Sequence, residues 1–299
     1  MLRAKSMKKY FPVSGSAVAA LAALLCVPVS GSAQSILRTA GNFTLLGGSA
    51  ISSTATVGTT VANGNVGLSP TAESAITGFP PAVITNGAII ATGAATAQAR
   101  ADLILAAAGL AAMAPSANLT GLNLGGMTLA PGVYSFTNTA FLTGTLTLDA
   151  QGQNNVAWVF QIGSSLAAAA SSTVTFVNFG SNAGSDLGVF WNAGTTIGLG
   201  DGNLLAGNYL AGTSITFGNL AHGGGRALAQ SAITLDNDQI NSFGGPGGGD
   251  LTGGLTFAAN GTTVVPSAIP EPAAVLWLAP LSALGLVIWR RSVRGKISA

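Results

Sequence analysis

Three copies of one short pattern decide the fold: Gly194-Thr-Thr-Ile-Gly-Leu-Gly200, Gly212-Thr-Ser-Ile-Thr-Phe-Gly218 and Gln230-Ser-Ala-Ile-Thr-Leu-Asp236. The copies begin at residues 194, 212 and 230, which is a period of 18 repeated twice, and Gly163–Ala169 is a looser earlier copy. This period is too short for a propeller blade or a helical repeat. It suits one coil of a β-solenoid, in which each coil stacks on the previous one. The sequence therefore predicts a mainly β fold.

Side chains alternate across a β-strand, which divides each copy into an inward and an outward set. Exposed sheets normally carry charge against aggregation, so an uncharged outward set is either covered or kept flat for a ligand. The inward set is apolar: Leu166, Ala168, Ile197, Leu199, Ile215, Phe217, Ile233 and Leu235. The outward set supplies eight candidate binding residues: Ser165, Ala167, Thr196, Gly198, Ser214, Thr216, Ala232 and Thr234.

One alanine-rich segment breaks the β pattern and predicts a helix at about residues 92–114. Its apolar residues, such as Leu103, Ala107 and Leu110, recur at helical spacing. Thr92 is the predicted N-cap, and Pro115 is the predicted stop. We expect this helix to cover one side of the solenoid and to leave another side for function.

Charge is scarce and unevenly placed. Only 7% of the residues are charged, where about 25% is usual, and the lysines all lie near the two ends. Between the ends there are three arginines and eight acidic residues, so this part of the chain has a net charge of 3 − 8 = −5. A nucleic-acid binder needs clustered lysine and arginine, and a charge-rich disordered chain needs low hydrophobicity. Both classes are excluded.

The N-terminal segment 1–33 has the order of a secretory signal peptide. A basic stretch is followed by the apolar run Ala17–Val29 and the small residues Ser30–Ala33, which predicts cleavage after Ala33. The apolar run is shorter than the roughly 20 residues that span a membrane. Because the only cysteine, Cys26, lies in the segment to be removed, we expect no disulfide in the mature chain.

The C-terminal part is predicted to be a flexible glycine-rich linker over 242–268, followed by a sorting region over 269–299. There, Pro270-Glu271-Pro272, a marginal transmembrane helix over 273–289 and a basic tail occur in order. This order resembles the PEP-CTERM sorting signal of Gram-negative bacteria. The resemblance implies recognition by an exosortase, transient membrane contact and delivery beyond the inner membrane. A simple membrane anchor is the alternative.

Six sequence blocks lie in order between residues 36 and 240: Thr39–Gly48, Asn63–Pro70, Ile76–Pro81, Leu129–Tyr134, Trp158–Gly163 and Gly225–Gln230. These blocks resemble the ice-binding-protein-like family, also called DUF3494. The resemblance implies a domain over 34–241, folded as a discontinuous right-handed β-helix of triangular section with a long helix alongside. It also implies that one face of the solenoid contacts ice.

Residues that carry chemistry are few, so we predict no enzyme, no cofactor and no metal site. His222 is the only histidine; without a Gly-x-Ser-x-Gly elbow, His222-Gly-Gly-Gly225 is interpreted as a turn. Gly247–Asp250 occurs once, whereas calcium-binding repeats need stacked copies. A polysaccharide lyase needs clustered acids and a basic residue. Asp236 and Asp238 are instead predicted to lie in a solvated loop or cap.

The leading functional prediction is ice binding. A flat face of Thr, Ser, Ala and Gly can order water that merges with the ice lattice, whereas charged groups hold hydration shells that do not fit. The alternative is a structural or adhesive surface protein held in exopolysaccharide. The uneven copies favour it, because Ala167–Ala170 is all methyl and Gly198 and Gly200 have no side chain. The expected partners are ice or ordered water, signal peptidase, an exosortase and exopolysaccharide.

Overall fold

The computed structural model describes residues 35–54 and 58–267. The predicted cleavage residue Ala33, the motif Pro270-Glu271-Pro272 and the apolar stretch 273–289 lie outside the described residues. Among the described residues, no helix is both long enough and apolar enough to cross a membrane.

Short strands make up most of the regular secondary structure of the described chain. Seven strands come first: β1 (Phe43–Gly47), β2 (Ala50–Ser53), β3 (Thr60–Ala62), β4 (Asn65–Leu68), β5 (Ile76–Thr77), β6 (Val83–Thr85) and β7 (Ile89–Ala91). The helix α1 (Ala94–Ala111) follows them.

Seventeen further strands follow the helix. The first fifteen are β8 (Ala117–Asn118), β9 (Thr128–Leu129), β10 (Gly132–Phe136), β11 (Ala140–Leu142), β12 (Thr145–Asp149), β13 (Ala157–Ile162), β14 (Leu166–Ala168), β15 (Thr173–Val177), β16 (Gly188–Ala193), β17 (Ile197–Leu199), β18 (Leu204–Ala211), β19 (Ile215–Phe217), β20 (His222–Ala229), β21 (Ala232–Leu235) and β22 (Gln239–Asn241). The last two are β23 (Leu255–Phe257) and β24 (Val264–Pro266).

Two parallel sheets, of fifteen and seven strands, contain all of these strands except the antiparallel hairpin β23–β24. Successive coils of the chain add one strand to each ladder. For example, β13 and β14 of one coil pair in parallel with β16 and β17 of the next. The predicted mainly β fold with parallel sheets and one helix is therefore confirmed.

Each coil passes three sides, which we name by what lies on them. The helix side holds β1, β4, β10, β13, β16 and the second halves of β18 and β20. The open face is the outer surface of the seven-stranded sheet, in the order β11-β14-β17-β19-β21-β2-β5. The third side holds β3, β6, β12, β15, β22 and the first halves of β18 and β20. Gly207 and Gly225, with φ of 137° and 129°, lie where β18 and β20 pass from the third side to the helix side.

The coils do not stack in the order of the chain. Strand β1 pairs with β20, with Leu45 opposite Ala227, and β2 pairs with β21, with Ile51 opposite Ile233. The N-terminal coils therefore lie on the coil that ends at β22. The coils that follow α1 continue the stack in the other direction.

The inward residues behind the open face form the predicted apolar ladder. Ile197, Ile215 and Ile233 lie opposite one another on neighbouring strands, and each is at most 1% exposed. All eight residues assigned to the inward set are buried. The assignment of inward and outward positions from the sequence is confirmed.

Aromatic rings continue this core beneath the helix side. Tyr134, Phe160, Trp191 and Tyr209 stack in register, with ring centroids separated by 5.8, 4.0 and 6.5 Å. Phe217, from the open-face sheet, meets Tyr209 edge-on at 6.4 Å. Such contacts add to the burial of the rings and tie four coils into one core.

Helix α1 covers the helix side, as predicted, but it is shorter than the predicted range of 92–114. Its N-cap is Gly93, and no side chain caps it, so the assignment of Thr92 as the N-cap is wrong. Thr92 and Gly93 both have positive φ, 53° and 133°, because the chain turns sharply there between β7 and the helix.

The other end of α1 is fixed by a side chain of the sheet beneath it. The Gln161 amide nitrogen donates to the carbonyl oxygens of Leu110 and Met113, at 2.7 and 2.8 Å. These bonds occupy carbonyl groups that a helix end leaves without partners. The helix therefore ends before Pro115 is reached.

Residues 242–267 are not the flexible linker that their glycine content predicted. They run along the corner between the third side and the helix side. Val189 N donates to Leu251 O at 3.0 Å, and Gly254 N donates to Asn155 Oδ1 at 2.9 Å. Leu251 and Leu255 are buried, so the packed structure extends to residue 267.

The Arg226 side chain holds this segment in place. Its guanidinium, in a residue only 3% exposed, donates to Gly41 O at 2.9 Å, Asn208 Oδ1 at 3.2 Å and Asp250 O at 2.9 Å. It also forms an ion pair with the Asp250 carboxylate at 3.3 Å. Burial lowers the pKa of Arg226, and the Asp250 charge opposes that shift. One side chain thus joins the N-terminal segment, two strands and the C-terminal segment.

Candidate functional site

One row of outward residues crosses all seven strands of the open face, one residue from each strand. Neighbouring members lie on adjacent parallel strands, which are about 4.8 Å apart. The row contains no charged residue. Its members, in spatial order, are Phe141, Ala167, Gly198, Thr216, Thr234, Ser52 and Thr77.

A second outward row runs beside the first, two residues earlier along each strand. It contains hydroxyl groups beside Ala167 and Gly198 and methyl groups beside Thr234 and Ser52, whereas on β19 both rows carry a hydroxyl, Ser214 and Thr216. The members aligned with five strands are Ser165, Thr196, Ser214, Ala232 and Ala50. All eight residues predicted for the face lie in these two rows and none is buried, although their role in binding stays a prediction.

The hydroxyl groups of the first row are available to water. Within the described chain, those of Thr216, Thr234, Ser52 and Thr77 form no hydrogen bond with another side chain or with the backbone. Toward the margins hydroxyls do pair, as in the 3.0 Å contact between Ser49 Oγ and Ser231 Oγ. The middle of the face thus offers donors and acceptors that no protein group occupies.

Sequence reasoning missed Phe141, and it also left two further residues of this row unassigned, Ser52 and Thr77. The signal for them was present, because Ser49-Ala-Ile-Ser52 and Ser74-Ala-Ile-Thr77 repeat Ser231-Ala-Ile-Thr234 almost unchanged. These copies do not follow the period of 18, because β2 and β5 are close to β21 in space but are distant from it in the sequence. The structure brings the three segments together on adjacent strands.

The opposite end of the face is not flat. A shallow depression of about 430 Å³ lies over Ala167, Gly198 and Gly200. Phe141 stands at its rim and is 51% exposed. Packing does not require a glycine at 198, because an added Cβ would meet nothing closer than Leu166 O at 3.9 Å. The absence of a side chain there shapes the surface and relieves no clash.

The corner beside the face is bonded coil to coil. Thr195 N donates to Ser164 O at 2.9 Å, Thr213 N to Thr195 O at 2.7 Å, and Ser231 N to Thr213 O at 2.7 Å. Together with the buried ladder beneath, these bonds fix the positions of neighbouring outward residues. The face is therefore a preorganised surface.

Two interpretations of titratable residues are corrected. His222 is the first residue of β20 on the third side, paired with Leu204 and Gln239, and does not lie in a turn. Asp238 is 0% exposed, because its carboxylate closes the connection between β21 and β22 by accepting from Ala221 N at 3.0 Å and Asp236 N at 2.7 Å. Burial raises the pKa of Asp238 to about 7.

The remaining charged groups of the described range form no metal-binding cluster. No group of three or more His, Cys, Asp or Glu side chains there could hold a metal ion. Its three arginines, Arg38, Arg100 and Arg226, all donate to backbone carbonyl groups. What the open face presents is a set of fixed methyl and hydroxyl groups that can order water.

Comparison with known proteins gives a consistent result. A profile of the ice-binding-like family matches residues 45–241. An ice-binding protein of Nostoc sp. (strain HG1) is 44% identical over 210 residues, which is 70% of this chain and 74% of that protein.

Solved structures show the same likeness. The structure of an ice-binding protein from the Antarctic ascomycete Antarctomyces psychrotrophicus superposes with a TM-score of 0.62 at 32% identity, covering 70% of this chain and 98% of that one. The DUF3494 domain of Shewanella frigidimarina ice-binding protein 1 gives a TM-score of 0.62 at 25% identity, with 70% and 97% coverage. With the profile match over more than half its length, the chain belongs to the ice-binding-like family.

Proposed function

We propose that this protein is a secreted, non-enzymatic ice-binding protein and that the open face contacts ice. The observation that carries the proposal is the uncharged row Thr216, Thr234, Ser52 and Thr77, whose hydroxyls form no hydrogen bond with any other group of residues 35–54 and 58–267. The relatives named above support it, because they are ice-binding proteins of the same family.

Ice presents a flat lattice of water oxygens without net charge, so recognition depends on many weak contacts at fixed spacing. Hydroxyl groups hold single waters by hydrogen bonds, and the methyl groups of threonine and alanine confine those waters laterally. Because the ladder beneath the face is rigid, little conformational entropy is lost when the ordered water joins the lattice.

The fold and the sorting are proposed at finer detail. The stacked parallel coils support a discontinuous right-handed β-solenoid of triangular section.

The terminal sequences support cleavage after Ala33 by signal peptidase and recognition of Pro270-Glu271-Pro272 by an exosortase, placing the protein outside the inner membrane of a Gram-negative bacterium. The intact mass of protein from its native host tests this sorting. A product that retains residues 273–299 would contradict exosortase processing.

A bulky residue in the middle of the open face tests ice binding. Thr216 is exposed on β19, and a tyrosine there would stand several ångströms above its neighbours. Strands tolerate exposed aromatic residues, so the free energy of unfolding should change by less than about 1 kcal/mol. Ice shaping and thermal hysteresis of Thr216→Tyr should fall about tenfold or more, as expected when a central contact is lost.

The matched control is Thr145→Tyr, which adds the same ring to an exposed threonine on the third side. This variant should shape ice like the wild type. If Thr216→Tyr keeps full activity with an unchanged melting temperature, the open face does not contact ice. Wild-type protein that leaves ice crystals as rounded discs would contradict ice binding itself.

The second candidate function is adhesion to exopolysaccharide through the depression on the open face. The exposed Phe141 ring beside a shallow apolar hollow favours it, because the apolar side of a sugar ring packs well on an aromatic surface. Adhesion predicts that Phe141→Ala weakens polysaccharide retention and leaves ice shaping intact. Ice binding alone predicts no retention in either protein.

A further inference from the structure

One side chain of α1 reaches the corner between the helix side and the open face. The Arg100 Nη1 atom donates to Ser69 O and to Gln230 O, each at 3.0 Å. Ser69 and Gln230 follow β4 and β20, which lie on the helix side, and precede β5 and β21, which lie on the open face. The Arg100 guanidinium therefore joins the helix to the corner that leads to these two strands of the open face.

Three coils meet at this guanidinium. Between the coils of Gln230 and Ser69 lies the coil of β1 and β2, whose corner residue is Gly48. A Cβ at Gly48 would lie 1.9 Å from Gln230 O and 2.2 Å from Arg100 Nη1. The guanidinium and a carbonyl group that it binds thus fill the space that a side chain at residue 48 would need.

The contact of β1 and β2 with β20 and β21, which we call the junction, joins coils that are distant in the sequence. Elsewhere in the stack the chain runs directly from one coil to its neighbour, whereas at the junction only contacts between the coils fix their relative position. Beside Arg100, Gly48 N and Ser49 N both donate to Ser231 O, at 2.7 and 2.9 Å. Thr71 Oγ1 donates to Gly48 O at 2.9 Å. Arg100 is therefore one of a small group of contacts that set the position of the N-terminal coils.

The junction crosses the first outward row of the open face. Thr216 and Thr234 lie on one side of it, on β19 and β21, and Ser52 and Thr77 lie on the other, on β2 and β5. A slip of one coil against the other would move two of these hydroxyl groups relative to the other two. Because the groups of a binding site must be held within about 0.5 Å of their productive positions, a loose junction would weaken ice binding without unfolding the protein.

We propose that Arg100 is a positioning residue for ice binding: its guanidinium holds the two sides of the junction in register, so that the hydroxyl groups of the first outward row act as one surface. This inference rests on the proposed ice binding. Arg100 belongs to α1 on the helix side, so it acts through the corner and does not touch ice. A guanidinium suits this task, because its planar donor group binds the Gln230 carbonyl on one side of the junction and the Ser69 carbonyl on the other in a fixed geometry.

Arg100→Ala tests the proposal, with Gln161→Ala as the matched control. Gln161 also links α1 to the coils through two bonds with backbone carbonyl groups, those of Leu110 and Met113, but it lies on β13, away from the junction. Both variants lose two hydrogen bonds between the helix and the coils, so the melting temperature of the protein should fall in both. Near the melting point of ice, where both are folded, the thermal hysteresis of Arg100→Ala should fall about threefold or more. That of Gln161→Ala should equal the wild-type value.

A double-mutant cycle separates positioning from a general loss of stability. Arg100 and Ser52 lie on different sides of the fold, so the effects of Arg100→Ala and Ser52→Ala on the free energy of unfolding should add. Their effects on thermal hysteresis should not be independent. Ser52→Ala should lower the hysteresis of the wild type and should change it little once the Arg100 guanidinium is absent.

Three results would each overturn the positioning role: full hysteresis in folded Arg100→Ala, an equal loss in Gln161→Ala, or independent effects of the Arg100 and Ser52 substitutions. If Arg100→Ala does not fold, Arg100→Lys takes its place in the same comparison and should show the same fall, because it keeps the charge and the aliphatic stem but lacks the planar donor group. Wild-type protein that does not shape ice would instead contradict the proposed ice binding.

Discussion

Among single residues, Asp238 makes the stability of the fold depend on pH. Burial raises its pKa to about 7 from 3.8, and the negative charges of Asp236 and Asp201 add to that shift, while two backbone N–H donors oppose it. The folded state thus binds a proton that the unfolded state releases between these values, so stability falls as the pH rises from about 4 to 7. The free energy of unfolding in urea should be about 2–3 kcal/mol higher at pH 5 than at pH 8.

The Asp238→Asn variant removes the titrating group and should lose most of this difference. Asp201→Asn, at an exposed position in the corresponding connection between β17 and β18, should keep most of it. A wild-type protein equally stable at both pH values would mean that the two backbone donors keep Asp238 charged throughout.

The inward ladder gives a second prediction for single residues. Ile215 is 0% exposed and has a coil on each side, so truncation to alanine leaves a cavity that neighbouring strands cannot fill. Ile215→Ala should cost about 2–5 kcal/mol in chemical denaturation. The adjacent outward substitution Thr216→Ala should cost less than about 1 kcal/mol. Similar costs for both would mean that the ladder is loosely packed.

Among the elements, the C-terminal segment (residues 242–267) should detach from the coils most readily, because a single side chain, Arg226, holds it in place. Arg226→Ala would leave the buried Asn208 amide oxygen and the carbonyl groups of Gly41 and Asp250 without a donor. The cost should be about 3 kcal/mol or more. Asp250→Ala should cost only about 1–2 kcal/mol, because that side chain is 32% exposed and Arg226 keeps its other acceptors. Hydrogen exchange at Leu251–Leu255 should rise first in Arg226→Ala; unchanged exchange there would show that the clamp is dispensable.

The glycines of the C-terminal segment show why glycine content alone predicted a flexible linker there. A Cβ at Gly253 would lie 1.8 Å from Asp186 O, and one at Gly249 would lie 2.6 Å from Ser185 O. Glycine is needed there because two backbones touch. Composition alone cannot distinguish glycine chosen for close approach from glycine chosen for flexibility, since the difference lies in a partner segment that is distant in the sequence.

The local sequence pattern predicts the side-chain alternation within a strand better than the order in which the strands stack. The alternation that places Ile197 inward and Thr196 outward depends only on neighbouring residues, so the sequence alone predicts it. Strands β1 and β20 come from opposite ends of the domain, and neither strand's sequence indicates which strand it pairs with. For the same reason the period of 18 does not assign Ser52 and Thr77 to the first outward row of the open face.

At the scale of the whole molecule, the long-range contact of β1 with β20 should make unfolding cooperative. Leu45 is fully buried where the N-terminal coils meet the coil that ends at β22. Leu45→Ala should therefore raise hydrogen exchange both in β1 and in β13 and β16, several coils away, by the factor that corresponds to about 2–5 kcal/mol. Faster exchange confined to β1–β7 would mean that the N-terminal coils open by themselves.

The same crossing of the chain has a consequence for biosynthesis. The first coils to be made can pair β1 with β4 and β2 with β5, but the other edge of β1 and of β2 has no partner until β20 and β21 have been synthesised. A nascent chain that does not yet extend to Leu235 therefore leaves one edge of β1 and of β2 unpaired. This order delays completion of the fold until nearly the whole domain has been synthesised. Arrested chains ending at residue 200 should consequently be digested by protease at β1, whereas chains that extend past residue 267 should resist.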